Sequence, residues 1–210
     1  MLNINLNPII YSPDQIVQIG LYQTRETLMD TELYAHFIYN IENQFRRSRF
    51  YRDYKANIYN KGIDFDQQMR NITSEMTDCE LHHHIPTLKD AAICITEYFT
   101  HTVGQVCTFD VIKLLEDCHR NNLMGVIILS TTNHQTFHAD PSAFISISQL
   151  YGNPFAFIDK YGRYATLDIA YRWLLQFKQE DQNDRQTYWP MLAKAREEIL
   201  NWSQSGYFQN

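Results

Sequence analysis

With 210 residues, 44 % apolar and 14 % aromatic, the chain has the means to bury a sizeable core, which excludes a disordered protein. Seven glycines and six prolines argue against a turn-rich barrel or sandwich. A formal net charge of −6 excludes a wholly basic surface that would grip DNA anywhere, though not a local basic patch.

Along the chain, residues 1–20 hold short apolar runs broken by Pro8 and Pro13, the pattern of an extended arm or edge strand. Between Asp30 and Asn60, Leu33, Phe37, Ile38, Ile41 and Phe45 recur at helical spacing, and Gly62 ends the region. Within it Arg46, Arg47, Arg49, Arg52 and Lys55 interleave with Phe50, Tyr51, Tyr54 and Tyr59. That mixture suits phosphate contacts with base stacking, and equally a solvated helix face whose aromatics pack inward. Residues Glu75–His84 read as a strand running into a histidine cluster, which Pro86 breaks. Thr87 and Asp90 form a capping box for a helix to about Phe99. Thr108 is expected to cap the next helix, with Val111, Leu114, Leu115 and Cys118 on its buried stripe and Asn121-Asn122 as its stop. Val126–Leu129 is a compact strand, and Ser130-Thr131-Thr132 caps a short helix carrying Asn133–His138. Asn153-Pro154 starts another helix that Gly162 ends. Further helices are expected from Thr166 to about Phe177 and from near Thr187 to Trp202.

Cys79, Cys94, Cys107 and Cys118 lie far apart with no CxxC pair, which rules out a Cys-rich zinc ribbon and suits reduced thiols in the cytoplasm. The segment MLNINLNPII lacks the charged head of a signal peptide, and no run of about 18 apolar residues exists, so no membrane span is expected.

Two histidine clusters carry the chemistry. His134 and His138 are i and i+4, so on a helix both rings reach one ion. His82-His83-His84 ends a strand in which neighbours point to opposite faces, so that adjacent imidazoles serve different ends. The spacing resembles a zincin site, but His134-Gln135-Thr136-Phe137-His138 has glutamine where a glutamate base is required, and the peptidase reading is weak. Three or four imidazoles also suffice to close a structural zinc site.

The order Cys79-Glu80-Leu81-His82-His83-His84-Ile85-Pro86, then Gly125-Val126-Ile127-Ile128-Leu129-Ser130, then His134-x3-His138 resembles the HNH or His-Me finger endonucleases. It is most similar to a bacteriophage-encoded group in which Cys-Glu-x-His-His leads into a Thr-Leu-x-Asp helix, here Thr87-Leu88-Lys89-Asp90, and which has a later Tyr-Gly-Asn stretch, here Tyr151-Gly152-Asn153. The resemblance covers roughly residues 75–165. It implies an α+β fold with a ββα-metal module (71–165, holding a helical insertion) embedded in a mainly helical protein. An N-terminal arm and helical region (1–70) and C-terminal helices (166–210) flank the module. It further implies a phage-encoded, metal-dependent endonuclease that hydrolyses DNA phosphodiester bonds in the host cytoplasm. His82, His134 and His138 are then ligands of a divalent ion, Mg or Zn, and His83 is the general base. DNA is the expected partner, contacted by Arg46, Arg47, Arg49, Arg52 and Lys55. Two departures from the pattern stand out. Gly125 occupies the place of the middle asparagine, leaving Asn121, Asn122 or Asn133 to support the base's loop, and about 40 residues with two helices separate the two halves. His83-His84 is the alternative register for the ligand–base pair. The competing expectation is a non-catalytic phage protein that keeps the module for folding and for binding nucleic acid or a protein partner.

Overall fold

The computed structural model describes residues 21–140, 143–183 and 189–204. The expected N-terminal arm lies outside the described residues. A short strand β1 (Gln23–Thr24) leads into helices α1 (Arg25–Leu28), α2 (Thr31–Arg47) and α3 (Arg49–Asn60). The region expected between Asp30 and Asn60 is thus two helices. Its break is Ser48, whose extended backbone and hydroxyl, accepting from the Tyr51 N–H, cap α3. Phe37, Ile38, Ile41 and Phe45 are buried as their spacing requires, whereas Leu33 is exposed.

After a loop, β2 (Cys79–Ile85) is followed by α4 (Leu88–Thr102), β3 (Gln105–Val106), α5 (Thr108–Arg120), β4 (Gly125–Ser130) and α6 (Thr131–Ala139). Then come α7 (Pro154–Tyr161), α8 (Leu167–Asn183) and α9 (Trp189–Gln204). The cap of α5 is Cys107, one residue before the expected Thr108, and the Asp110 carboxylate accepts from its backbone N–H.

The described residues form two small antiparallel sheets, β1 with β3 and β2 with β4, so the architecture is α+β and mainly helical. In the second sheet His82 faces Ile127 and His83 faces Val126, and a bulge between His83 and Ile85 brings Ile85 opposite Gly125. A Cβ on Gly125 would lie 2.6 Å from the Ile85 carbonyl oxygen. The strands therefore approach too closely for the asparagine that the HNH pattern places there.

One face of this sheet carries Leu81, His83, Ile85, Val126 and Ile128 into the main core, which draws on residues from Leu28 to Ile199. All three sequence segments contribute to that core. On the opposite face Ile127 and Leu129 form a smaller apolar cluster with Ile145, against which Phe137 of α6 packs.

Candidate metal centre

Alternation along β2 puts Glu80, His82 and His84 on the face that α6 covers and Leu81, His83 and Ile85 on the other. Helix α6 starts without a connecting loop, because Ser130 is both the last residue of β4 and the N-cap, accepting from the Asn133 N–H. The junction is fixed by Asp66, a fully buried carboxylate. It accepts from the Ser130 N–H and hydroxyl, the Asn133 side chain, and the backbone N–H groups of Gln68 and Met69. Burial, the largest single influence, pushes the Asp66 carboxyl up, but these hydrogen bonds outweigh it and hold it below its usual range. Gln67 adds two clamps to the same strand, donating its backbone N–H to the Ile128 carbonyl and accepting from the Ile128 N–H.

So anchored, α6 presents His134 and His138 to β2. The ring of His82 lies 5.0 Å from that of His134 and 5.3 Å from that of His138. One ligand nitrogen from each of the three falls within 4.8 Å of the others. The Nε2 atoms of His134 and His138 are 3.2 Å apart. Two imidazoles bound tetrahedrally at about 2.0–2.1 Å have nitrogens about 3.3 Å apart, so this pair already has the separation that one ion imposes.

The protonation states agree. Burial first, and then the neighbouring His84, His134, His138 and Arg46, lowers the His82 pKa to about 3, so that ring is neutral and available as a ligand. Burial also lowers His134, and the Glu80 carboxylate opposes that shift. The Glu80 Oε2 atom is 2.6 Å from His134 Nδ1. It holds the proton on Nδ1 and leaves Nε2 facing the other two rings, the arrangement by which carboxylates orient ligating histidines. His84, the third residue on this face, is partly buried with its ring 6.0 Å from that of His82. Burial lowers its pKa to about 4, against the opposing hydrogen bonds that the ring donates to the Ile145 backbone and the Gln176 side chain.

His83 is not part of this cluster. It lies on the other face of the strand, 4 % exposed, with Tyr51 stacked on it at 5.8 Å and its Nε2 2.9 Å from Nε2 of His119. The His119 Nδ1–H donates to the Leu115 carbonyl, so its Nε2 must accept, and His83 Nε2–H is the donor. The remaining lone pair, on His83 Nδ1, is buried without a hydrogen-bond partner among the described residues. The ring expected to act as general base is thus enclosed between Tyr51 and His119 and does not meet His82, His134 and His138. The asparagines named as supports each make hydrogen bonds elsewhere. The Asn121 side chain caps α5 at the Asp117 carbonyl, the Asn122 carbonyl accepts from the Asn153 N–H, and Asn133 donates to Asp66.

The basic residues lie at the α2–α3 break. Arg46, Arg47 and Arg52 are exposed, Arg49 pairs with Asp53 at 3.6 Å, and Lys55 lies 6.0 Å over the Tyr59 ring. The interleaved Tyr51 is buried, and Phe50 and Tyr54 pack against the core, so those aromatics turn inward. Arg46 stands near enough to both His82 and His134 to lower their proton affinity.

Glu80, Asp66 and His119 were missed as site or support residues. Only Glu80 carried a signal, since two residues before His82 on a strand is the same face. No helix of the described chain is long and apolar enough to cross a membrane. No curated protein and no solved structure matches the chain. Residues 11–204 match the model of the Bacteriophage G278-like virion protein family. That match bears on the expected phage origin and not on any nuclease chemistry. Spanning nearly the whole chain, it shows that the protein belongs to the Bacteriophage G278-like virion protein family.

Proposed function

We propose that this virion protein is a metal-dependent phosphodiesterase acting on DNA, with His82, His134 and His138 as the ligands of one divalent ion. The observation that carries the reading is the convergence of three imidazoles, one from β2 and two from α6, with Glu80 orienting one of them. Zinc suits an all-nitrogen set better than magnesium, which favours oxygen ligands. Three protein ligands leave a fourth position free, the pattern of catalytic zinc sites, whereas structural sites are closed by four. The exposed His138 and partly exposed His134 give that position access to solvent. A bound divalent ion would polarise a phosphoryl oxygen and bring the pKa of a water towards 7, so the burial of His83 does not remove the means of generating a nucleophile. Arg46 provides positive charge beside the cluster, and Arg47 and Arg52 extend it across the surface at the helix break.

A second reading, a metal module kept for folding and partner binding, is favoured by the burial of His83 against His119. One experiment separates the two. Purified untagged protein is assayed for metal content and for plasmid nicking, with and without chelator, beside His134→Ala and His138→Ala. Chelator-sensitive nicking that both variants lose supports the hydrolytic reading. Bound zinc with no nicking, and melting that falls with zinc removal, supports the structural module. Protein that takes up no zinc overturns both.

A further inference from the structure

On the side of β2 away from the metal centre, a groove of about 420 Å³ opens between α3 and the C-terminal end of α5. That volume falls within the range of about 300–1,000 Å³ typical of small-ligand sites. The buried His119 lies at its base, and Phe50, Tyr54 and Tyr151 supply aromatic walls. Two cations line it, each over a ring. Lys61 Nζ lies 4.8 Å from the Tyr151 centroid and donates to that tyrosine's hydroxyl at 2.6 Å. The Arg120 guanidinium lies 4.7 Å from the Phe50 centroid. Arg120 shares its charge with Glu116 and Asp117, whereas Lys61 has no carboxylate partner among the described residues. The acid lining the groove, Asp53, faces Arg49 at 3.6 Å. The Tyr54 hydroxyl is buried in the wall with no hydrogen-bond partner among the described residues.

A cation over a tyrosine is ordinary on a protein surface, and alone it would indicate nothing. Here an unbalanced lysine, a second cation, three rings and an unsatisfied hydroxyl meet in one concave site. An acidic peptide would use the cations and leave the rings idle. A planar base bearing a phosphate uses both, by stacking and by charge. We infer that this groove binds a nucleotide unit, with the base against the aromatic wall, the phosphate on Lys61 beside Arg120, and the Tyr54 hydroxyl offered to a base carbonyl. The inference is independent of the hydrolytic reading, because the groove and the metal ligands lie on opposite faces of β2.

The same chemistry is presented by a free mononucleotide and by single-stranded DNA, and the test separates them. Binding of a fluorescein-labelled oligo-dT to the full chain is followed by anisotropy across a salt series, with and without chelator, and with dTMP or inorganic phosphate as competitor. We expect binding that survives chelator and the His134→Ala substitution. Lys61→Ala should weaken it about tenfold and reduce the salt slope by about 0.7, as for loss of one single-strand phosphate contact. Tyr54→Phe, which removes only the hydroxyl, should weaken it about fivefold, and Lys113→Ala, elsewhere on α5, should leave it unchanged. Competition by dTMP assigns the groove to mononucleotides, and its absence assigns it to the strand. Either outcome supports the inference. Absence of oligo-dT binding, displacement by inorganic phosphate as readily as by dTMP, dependence on His134, or unchanged affinity in both Lys61→Ala and Tyr54→Phe overturns it.

Discussion

Replacing Glu80 by glutamine tests the metal centre with the least disturbance, since shape and size are kept and only the charge on the His134 contact is lost. Carboxylates that hold a ligating imidazole contribute roughly 10–100-fold to metal affinity. Glu80 has a short contact, 2.6 Å, but its side chain is 46 % exposed, so solvent screens it and the lower end of the range applies. The expectation is about a tenfold loss of zinc affinity, or about 1.4 kcal/mol. Competition against a chromophoric zinc chelator at pH 7.5 measures it. The sign of the pH dependence is also fixed. Glu80 raises the proton affinity of His134 while strengthening it as a ligand, and protons compete for that ring below its ordinary value of 6.5. The deficit of Glu80→Gln should therefore be largest above pH 7 and narrow as the pH falls. Melting of the metal-free variant should match the parent within about 0.5 kcal/mol, as expected for a half-exposed side chain whose shape is kept. Equal zinc affinity for Glu80→Gln and the parent, with affinity lost in His134→Ala, would show the carboxylate contact to be incidental. Equal affinity in all three would refute the shared centre.

His83→Ala should destabilise the fold by about 2–4 kcal/mol through a cavity and an unpartnered His119, while zinc content stays at the parent's level. Denaturant unfolding with metal analysis checks this, and loss of zinc with an unchanged midpoint would restore His83 to the metal site. Asp66→Ala strips the α6 junction of its acceptor and should cost about 3–5 kcal/mol, with weaker zinc binding as His134 and His138 lose their anchorage. An unchanged unfolding midpoint would show the junction to be held by the Gln67 contacts alone. Burial lowers the His119 pKa from 6.5 to about 4, opposed by its bond to Leu115. The folded state then binds fewer protons than the unfolded chain between those values. That contribution is fully present above pH 6.5 and is lost as the pH falls towards 4, about 3 kcal/mol in all. Unfolding free energies flat between pH 7 and pH 4.5 would contradict it.

Much of the frame was legible because local chemistry and tertiary context agree there. Ser130, Asn153-Pro154 and Thr87 mark helix starts as their side chains predict, and the periodicity of Phe37, Ile38, Ile41 and Phe45 gives the buried face of α2. The i, i+4 histidines and their meeting with His82 were legible for the same reason. What escaped the sequence was set by distant partners. Ser48 reads as one polar residue in a helical run until its capping bond is seen. Asp66 sits 64 residues before Ser130, in a stretch without periodicity, and nothing local ties it to α6. The role of His83 depended on His119, a residue 36 positions away with no companion in sequence.

The fate of three consecutive histidines follows from the period of a strand. His82 and His84 face α6, and His83 faces the core, so adjacency in sequence separates these side chains by the thickness of the sheet. A resemblance read along the chain assigns adjacent roles to adjacent residues, whereas the sheet assigns shared roles to alternate ones. It follows that substitutions on the Glu80 and His82 face should act chiefly on metal affinity, and those on the Leu81 and His83 face chiefly on folding. His84 is the informative exception. It shares the ligand face, its ring is 6.0 Å from that of His82, and its Nε2 is buried without a hydrogen-bond partner among the described residues. If His84→Ala lowers the melting temperature while zinc content holds, His84 is a packing group of this face, enclosed as His83 is on the other. If zinc content falls with it, His84 instead closes the coordination sphere, and the structural reading of the module gains its fourth ligand.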